Sequence, residues 1–354
     1  MKSKQNQLSG IKEIARRANV SIGTVDRVIH DRPGIAPKTK EKVLQIIREL
    51  NYQPNIHARR LALAKTFRIA TLIPARSNET SFWEGPLKGL ETAAAEISVY
   101  GVQVEKFFYD QNSIDSFLQQ SRQLLKTKPD GILLAPSFIE ESVAFVQKCK
   151  KQNIPYVLID SDLPVEGSLA YIGPNLNASG NLAAHLISYL IGKTDKILIV
   201  NIARELNDQH HLSKKEEGFR NYFRTHRWDN PILKLNMNKT DSRSIEKGLE
   251  AMLKQHNNIK VIFVTNSRVS NVAAFIEKLD HKIILVGFDF LNENIEYIDK
   301  GVIDFLICQK PLEQAYKGVM TLYQHLSLPS APVEKQSFMP IDIITRENYR
   351  FYNY

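Results

Sequence analysis

Two hydrophobic rhythms divide this chain. Up to about residue 66 the apolar residues recur at the three- and four-residue spacing of amphipathic helices. Ile11, Ile14, Ala15 and Ala18 predict a helix from about Gly10 to Ala18, with Ser9 as its N-cap. A break at Asn19-Val20 precedes Ser21, a good N-cap for a second helix reaching about His30. There Val25, Val28 and Ile29 share one face. Thr24, Arg27 and, on the flank, Gly23 and Asp26 are left for the solvent side. "DRPG" breaks the chain, and a third helix is expected from about Pro37 to Leu50, with Val43, Leu44, Ile46, Ile47 and Leu50 available for burial. Pro54 stops that helix. Asn55 then caps a short stretch carrying Ala58, Arg59, Arg60, Leu61 and Ala62, too poor in bulky apolar residues to be a stable helix by itself. It is expected to form only when docked against a partner copy and DNA.

After Thr66 the rhythm changes to short β-branched runs. Strands are expected at "RIATLIP" (68–74), "VQVEKFF" (102–108), "GILLAP" (131–136), "PYVLID" (155–160), "KILIVNIA" (196–203), "ILKLNM" (232–237), "KVIFVTN" (260–266), "IILVGFD" (283–289) and "DFLICQ" (304–309). Helical patterns such as "GPLKGLETAAAEI" and "SIDSFLQQSRQLLKT" lie between most of them. That alternation predicts parallel sheets covered on both faces. So many strands exceed one compact sheet, so two α/β lobes are expected, with a ligand in the cleft between them. The expected division is a helix-turn-helix head over 1–54, a hinge helix and linker over 55–66, a two-lobed domain over 67–345 and a tail over 346–354.

Charge sharpens the boundary. Residues 1–66 hold 14 Lys and Arg against 5 Asp and Glu, whereas the remainder holds 33 of each. A basic module on a neutral body points to a polyanion partner, and its apolar periodicity argues against a disordered basic tail. The two cysteines, Cys149 and Cys308, make no disulfide framework or metal cluster and suit a reducing cytosol. With no apolar signal region and no run long enough to span a bilayer, a cytoplasmic protein is expected, without membrane contact.

Two short helices across a tight turn, braced by a third, make a helix-turn-helix, whose second helix enters the major groove. The segments "IKEIARRANVS", "TVDRVI", "TKEKVLQIIRELNYQPN" and "ARRLA", in that order over residues 10–64, resemble the DNA-binding head of the lactose-repressor (LacI/GalR) family. The resemblance implies a homodimer on a pseudo-palindromic double-stranded operator. It places Ile22, Gly23 and Arg27 at base-reading positions and Ser21, Thr24 and Asn55 at phosphate contacts. Leu61 matches the hinge-helix leucine that wedges into a minor-groove step and kinks the duplex, and Arg59 on the same helix is counted with the DNA contacts. Gly23 stands where many members carry a polar side chain, and Asp26 where serine is common, so the bases read stay open.

In the body, strand ends carry the candidate chemistry. Phe82 and Trp83 follow the first strand, and "LIDSD" ends in Asp160 and Asp162. Lys214 and Lys215 open a helix, Asn266 and Arg268 follow "FVT", and Asp289 and Gln309 end their strands. Carboxylates, amides and a cation around an aromatic platform suit a polyhydroxylated ligand, whose hydroxyls hydrogen-bond and whose apolar face stacks. Residues 67–345 resemble the periplasmic sugar-binding-protein fold that the same family uses as its effector domain. The resemblance implies that Asp160, Asn266, Asp289 and Gln309 contact a sugar or sugar derivative. Lys215 replaces the usual arginine before "..GF", and Ser267 a common aspartate. His210-His211 falls in a polar loop without a third metal ligand nearby. No phosphate loop, dinucleotide fingerprint or nucleophile elbow appears, so no cofactor and no enzymatic activity are expected. The rival readings are a regulator with a vestigial cleft or a protein-partner sensor, and a sugar-active enzyme carrying a regulatory head.

Overall fold

The computed structural model describes residues 11–29, 33–50, 66–77, 79–204 and 210–352. The expected Ser9 cap and the hinge residues Asn55, Arg59 and Leu61 lie outside them. The chain divides into two compact units, a head of Met1–Ala64, with which Ser327–Ala331 is grouped, and a body of Lys65–Leu326 and Pro332–Tyr354.

The head holds α1 (Ile11–Ala18), α2 (Ile22–Ile29) and α3 (Pro37–Glu49). Asn19 ends α1 at φ 55°, a left-handed conformation that asparagine tolerates. Val20 N then reaches back to Ala15 O at 3.0 Å, which closes the helix end. Ser21 caps α2, its Oγ accepting from Thr24 N at 3.1 Å. Ile14, Ala15 and Ala18 of α1 pack with Val25 and Val28 of α2 and Val43 and Ile46 of α3 in one buried core. No one of these short helices could bury enough apolar surface alone.

The body is two lobes of the same plan. Lobe 1 contains β1 (Phe67–Pro74), β2 (Val102–Tyr109), β3 (Gly131–Leu134), β4 (Tyr156–Ile159) and β5 (Ala170–Gly173). Lobe 2 contains β6 (Lys196–Ile202), β7 (Ile232–Met237), β8 (Ile259–Val264), β9 (Ile284–Phe288) and β10 (Phe305–Cys308). Two late strands, β11 (Gln336–Phe338) and β12 (Asp342–Ile344), complete the sheets. The orders are β11-β5-β4-β3-β1-β2 and β12-β10-β9-β8-β6-β7, so β4 and β9 hold equivalent places. β12 pairs antiparallel with β10, and the other pairs are parallel. The nine expected runs are strands, mostly shorter at their ends. "GILLAP" stops at Leu134, before Pro136, which has no N–H to give a ladder. β5, β11 and β12 were not expected.

Helices cover both sheets: α4 (Glu84–Ser98), α5 (Ile114–Lys126), α6 (Ile139–Lys151), α7 (Leu176–Ser188), α8 (His210–Thr225), α9 (Ser242–Gln255), α10 (Val269–Ile276), α11 (Asn292–Asp299) and α12 (Pro311–Ser327). Two of them are exchanged. α7 follows β5 of lobe 1, yet Ala183, Ala184 and Ile187 are buried with Ile197, Phe219 and Phe263 of lobe 2. α12 follows β10 of lobe 2, yet Gly318 lies against Leu133 and Ile159 of lobe 1. Glycine lets the exchanged helices come close. A Cβ on Gly180 of α7 would stand 1.8 Å from Lys215 O of α8, and one on Gly218 of α8 would stand 2.0 Å from Asn177 O of α7. The segment expected as a tail packs on lobe 2: the Tyr352 ring lies 4.8 Å from Phe290, and its hydroxyl donates to Asp342 Oδ2 at 2.9 Å.

Candidate ligand cleft and nucleic-acid interface

Parallel sheets present their loops at the carboxyl ends of the strands. In the body those ends face each other, and between them lies a cavity lined by Phe82, Trp83, Asp160, Lys215, Asn266, Asp289 and Gln309. The seven residues come from both lobes and are brought together around one space. Thr80, Gln111, Ser137, Arg204, His211, Ser267 and Arg268 also line it.

Asp160 and Asp289 are the first residues past the equivalent strands β4 and β9. Both have left-handed backbones, at φ 66° and 72°. Such a turn costs about 1 kcal/mol or more for a residue other than glycine and aims each carboxylate across the strand end. Lys215 enters from α8. That helix begins at His210, so Lys215 stands in its second turn rather than at its start, and His210-His211 are helical rather than in a loop. The Lys215 ammonium lies 3.7 Å from the centre of the Phe288 ring and is 3% exposed. Among the described residues it makes no hydrogen bond or ion pair. Burial pushes its pKa down, while Asp289 and Asp160 pull it up. Burial pushes both carboxyls up against the pull of Lys215, Asp289 to about 7. Burial likewise takes His211 down to about 3, so its ring is neutral at physiological pH. The floor of the cleft thus holds two carboxylates and one ammonium with few protein partners.

The other expected residues are partly committed. Asn266 Nδ2 donates to Ile202 O at 2.7 Å, and its Oδ1 accepts from Arg268 N at 3.3 Å. Gln309 Nε2 donates to Asp289 Oδ1 at 3.3 Å, whereas its buried Oε1 has no partner among the described residues. Trp83 and Phe82 meet edge to face at 5.1 Å, and Trp83 Nε1 donates to Gln111 Oε1 at 3.0 Å. This bond orients the indole at the cavity wall.

Several supporting residues escaped the sequence reading. Gln314, 1% exposed, accepts from Asp160 N at 2.9 Å and donates to Gln309 O at 2.7 Å, tying a lobe-1 loop to the crossover after β10. Fully buried Asn294 donates to Ser267 O, Phe288 O and Asp289 O at 3.0–3.1 Å. Glu79, in the loop after β1, accepts from Arg204 Nη2 and Arg268 Nη2 of lobe 2, each at 2.7 Å. The same loop joins Thr80 Oγ1 to Ser267 Oγ at 3.1 Å, and Ser81 N and Oγ to the Glu293 carboxylate. His210 meets Asp162 at 3.1 Å, a further contact between lobes. A polar residue in a loop or helix carries no sequence mark of a partner so distant in the chain.

In the head, α2 turns Val25 and Val28 inward and leaves Ile22, 46% exposed, with Gly23 and Arg27 on the surface. Ser21 Oγ and Thr24 Oγ1 lie 3.0 Å apart at the amino end of the helix. An exposed apolar side chain, a bare backbone patch and a guanidinium on one short helix can meet base edges and phosphates.

The family of periplasmic binding protein domains matches residues 69–328, and the family of bacterial regulatory proteins named lacI matches residues 10–55. Catabolite control protein A of Priestia megaterium is 35% identical over 151 residues, 43% of each chain. The HTH-type transcriptional regulator DegA of Bacillus subtilis is 28% identical over 211 residues, 59% of each. The chain therefore spans about half the length of these curated relatives. A solved Bacteroides fragilis chain assigned to the LacI transcriptional regulators aligns at a TM-score of 0.76 and 27% identity, over 82% of this chain and 100% of that one. A Burkholderia graminis transporter solute-binding protein in complex with D-arabinose aligns at 0.73 over 82% and 99%, with 19% identity, a likeness of fold.

Proposed function

The chain belongs to the lacI family of bacterial regulatory proteins and carries its periplasmic binding protein domain, and from that premise we propose a sequence-specific DNA-binding repressor whose operator affinity is set by a sugar-like polyol between its two lobes. The observation that carries this reading is the trio of Asp160 with buried Lys215 and Asp289 around one cavity. The carboxylates accept from ligand hydroxyls and the ammonium donates to ring or hydroxyl oxygens, while Trp83 and Phe82 cover an apolar sugar face. Because the carboxylates come from opposite lobes, a ligand bound to both favours one relative lobe position. That difference in affinity between states is what lets a ligand shift an equilibrium.

The protein acts as a cytoplasmic homodimer, with no catalytic step. Ile22, Gly23 and Arg27 read bases, Ser21 and Thr24 hold phosphates, and Asn55, Arg59 and Leu61 engage the minor groove and backbone. Among the described residues no helix is long and apolar enough to cross a membrane. Thermal unfolding of the full chain against sugars, sugar phosphates and nucleobases, with gel-shift measurement of operator binding, tests the reading. One sugar should stabilise the protein without turnover and change its DNA affinity. Arg27→Ala should weaken operator binding by about 1–3 kcal/mol and relax sequence preference. No response to any sugar would favour a regulator with a vestigial cleft.

A further inference from the structure

The cations lining the cleft fall into two groups. At the floor Lys215 faces Asp160 and Asp289. At the wall Arg204 and Arg268 share the single carboxylate of Glu79, which bridges them with one oxygen each at 2.7 Å. Arg268 is 7% exposed, and the same guanidinium donates to Ile202 O at 2.9 Å, so it is fixed in place. A carboxylate held by two guanidinium groups is the arrangement that an acidic ligand group would itself adopt. Glu79 already fills it. Its loop is fastened on the carboxyl side by Thr80 to Ser267 and by Ser81 to Glu293, which holds the Glu79 backbone beside the two arginines.

We propose that Glu79 is the specificity-determining residue of the cleft: by occupying the Arg204–Arg268 pair it confines the site to uncharged sugars and excludes uronates and phosphorylated sugars. The inference rests on the polyol reading above. An anionic group entering the cleft meets Asp160 and Asp289 at the floor, and at the wall it meets two guanidinium groups whose carboxylate partner is already Glu79. An uncharged polyol meets hydrogen-bond acceptors at the floor and disturbs no ion pair.

The test uses full-length wild type and Glu79→Gln with matched probes. Glucose, galactose, mannose and ribose are each offered as the neutral sugar, the corresponding sugar acid and the phosphate ester. Thermal shift identifies responders and calorimetry gives their affinities. In wild type the acid and phosphate members of the responding set should bind about a hundredfold more weakly than the neutral member, as expected for like charges brought together in a buried site. Glu79→Gln should narrow that ratio about tenfold or more, and Arg268→Met added to it should remove the gain. Wild type that binds the acidic members as well as the neutral one overturns the proposal, whatever the variants do. A ratio unchanged in a folded Glu79→Gln protein also overturns it. If no member of any set binds either protein, the polyol reading fails and the proposal falls with it.

Discussion

Replacing Asp289 with asparagine probes the charge balance of the cleft floor. Asp289 is 3% exposed, and burial, reinforced by Asp160 and opposed by Lys215, lifts its carboxyl from the ordinary 3.8 to about 7. The folded protein therefore keeps a proton that the unfolded chain releases near pH 4. A carboxyl raised in the folded state removes stability as the pH climbs from about 4 to about 7, and the loss persists above that. At ~1.4 kcal/mol per pH unit, the ~3 pH units between the two values set a ceiling of ~4 kcal/mol. Asparagine abolishes this penalty but leaves Lys215 with one counter-charge fewer, so a net gain of ~2 kcal/mol at pH 8 is expected. Urea unfolding of the full chain, followed by tryptophan fluorescence, measures it. Both tryptophans, Trp83 and Trp228, lie in the body, so the head is silent. The two proteins should approach each other near pH 4 and separate toward pH 8, with the variant the more stable and no longer answering the ligand. Parallel stability curves, or a variant weaker at pH 8, would refute the reasoning.

Gly180→Ala should destabilise the body by about 1–3 kcal/mol and weaken ligand binding, because the new methyl collides with the backbone carrying Lys215. Gly192→Ala, whose methyl would meet only Asp195 Oδ2 at 3.5 Å, serves as the control in the same unfolding assay, and equal effects would contradict the close-packing argument. Gly23→Gln has open space, with Ser21 Oγ the nearest neighbour at 3.7 Å. It should add up to ~1 kcal/mol of helix stability and change the bases chosen from a random DNA pool; an unaltered preference would remove position 23 from the reading surface.

The legible parts of this protein were those set by local rhythm. Spacing alone marked α1 to α3 and nine strands, and the rule that parallel sheets work at their carboxyl ends pointed to Asp160, Asp289 and Gln309 from the last letters of their strands. β11 and β12 were missed because three residues carry no rhythm, and β5, "AYIG", lacks the bulky apolar run that marked the equally short β3, β4 and β10; each is a strand because a sheet edge was waiting for it. Gln314 and Glu79 were missed for a related reason. Their partners Asp160 and Arg268 stand 154 and 189 positions away, and nothing near either residue encodes that distance. Lys215 was found, but its setting on the Phe288 ring belongs to the packing of α8 on β9.

The exchanged helices also govern how the body can be made. A chain leaving the ribosome presents the first five strands long before α12, the helix against which Leu133 and Ile159 are packed. Until residue 338 has appeared, the first sheet lacks its outer strand, and until residue 344 the second lacks its own. Neither half can be finished while the other is still being synthesised. Folding of the body is therefore joint, and a product broken off inside the second half leaves apolar surface bare in the first, a substrate for chaperones and proteases.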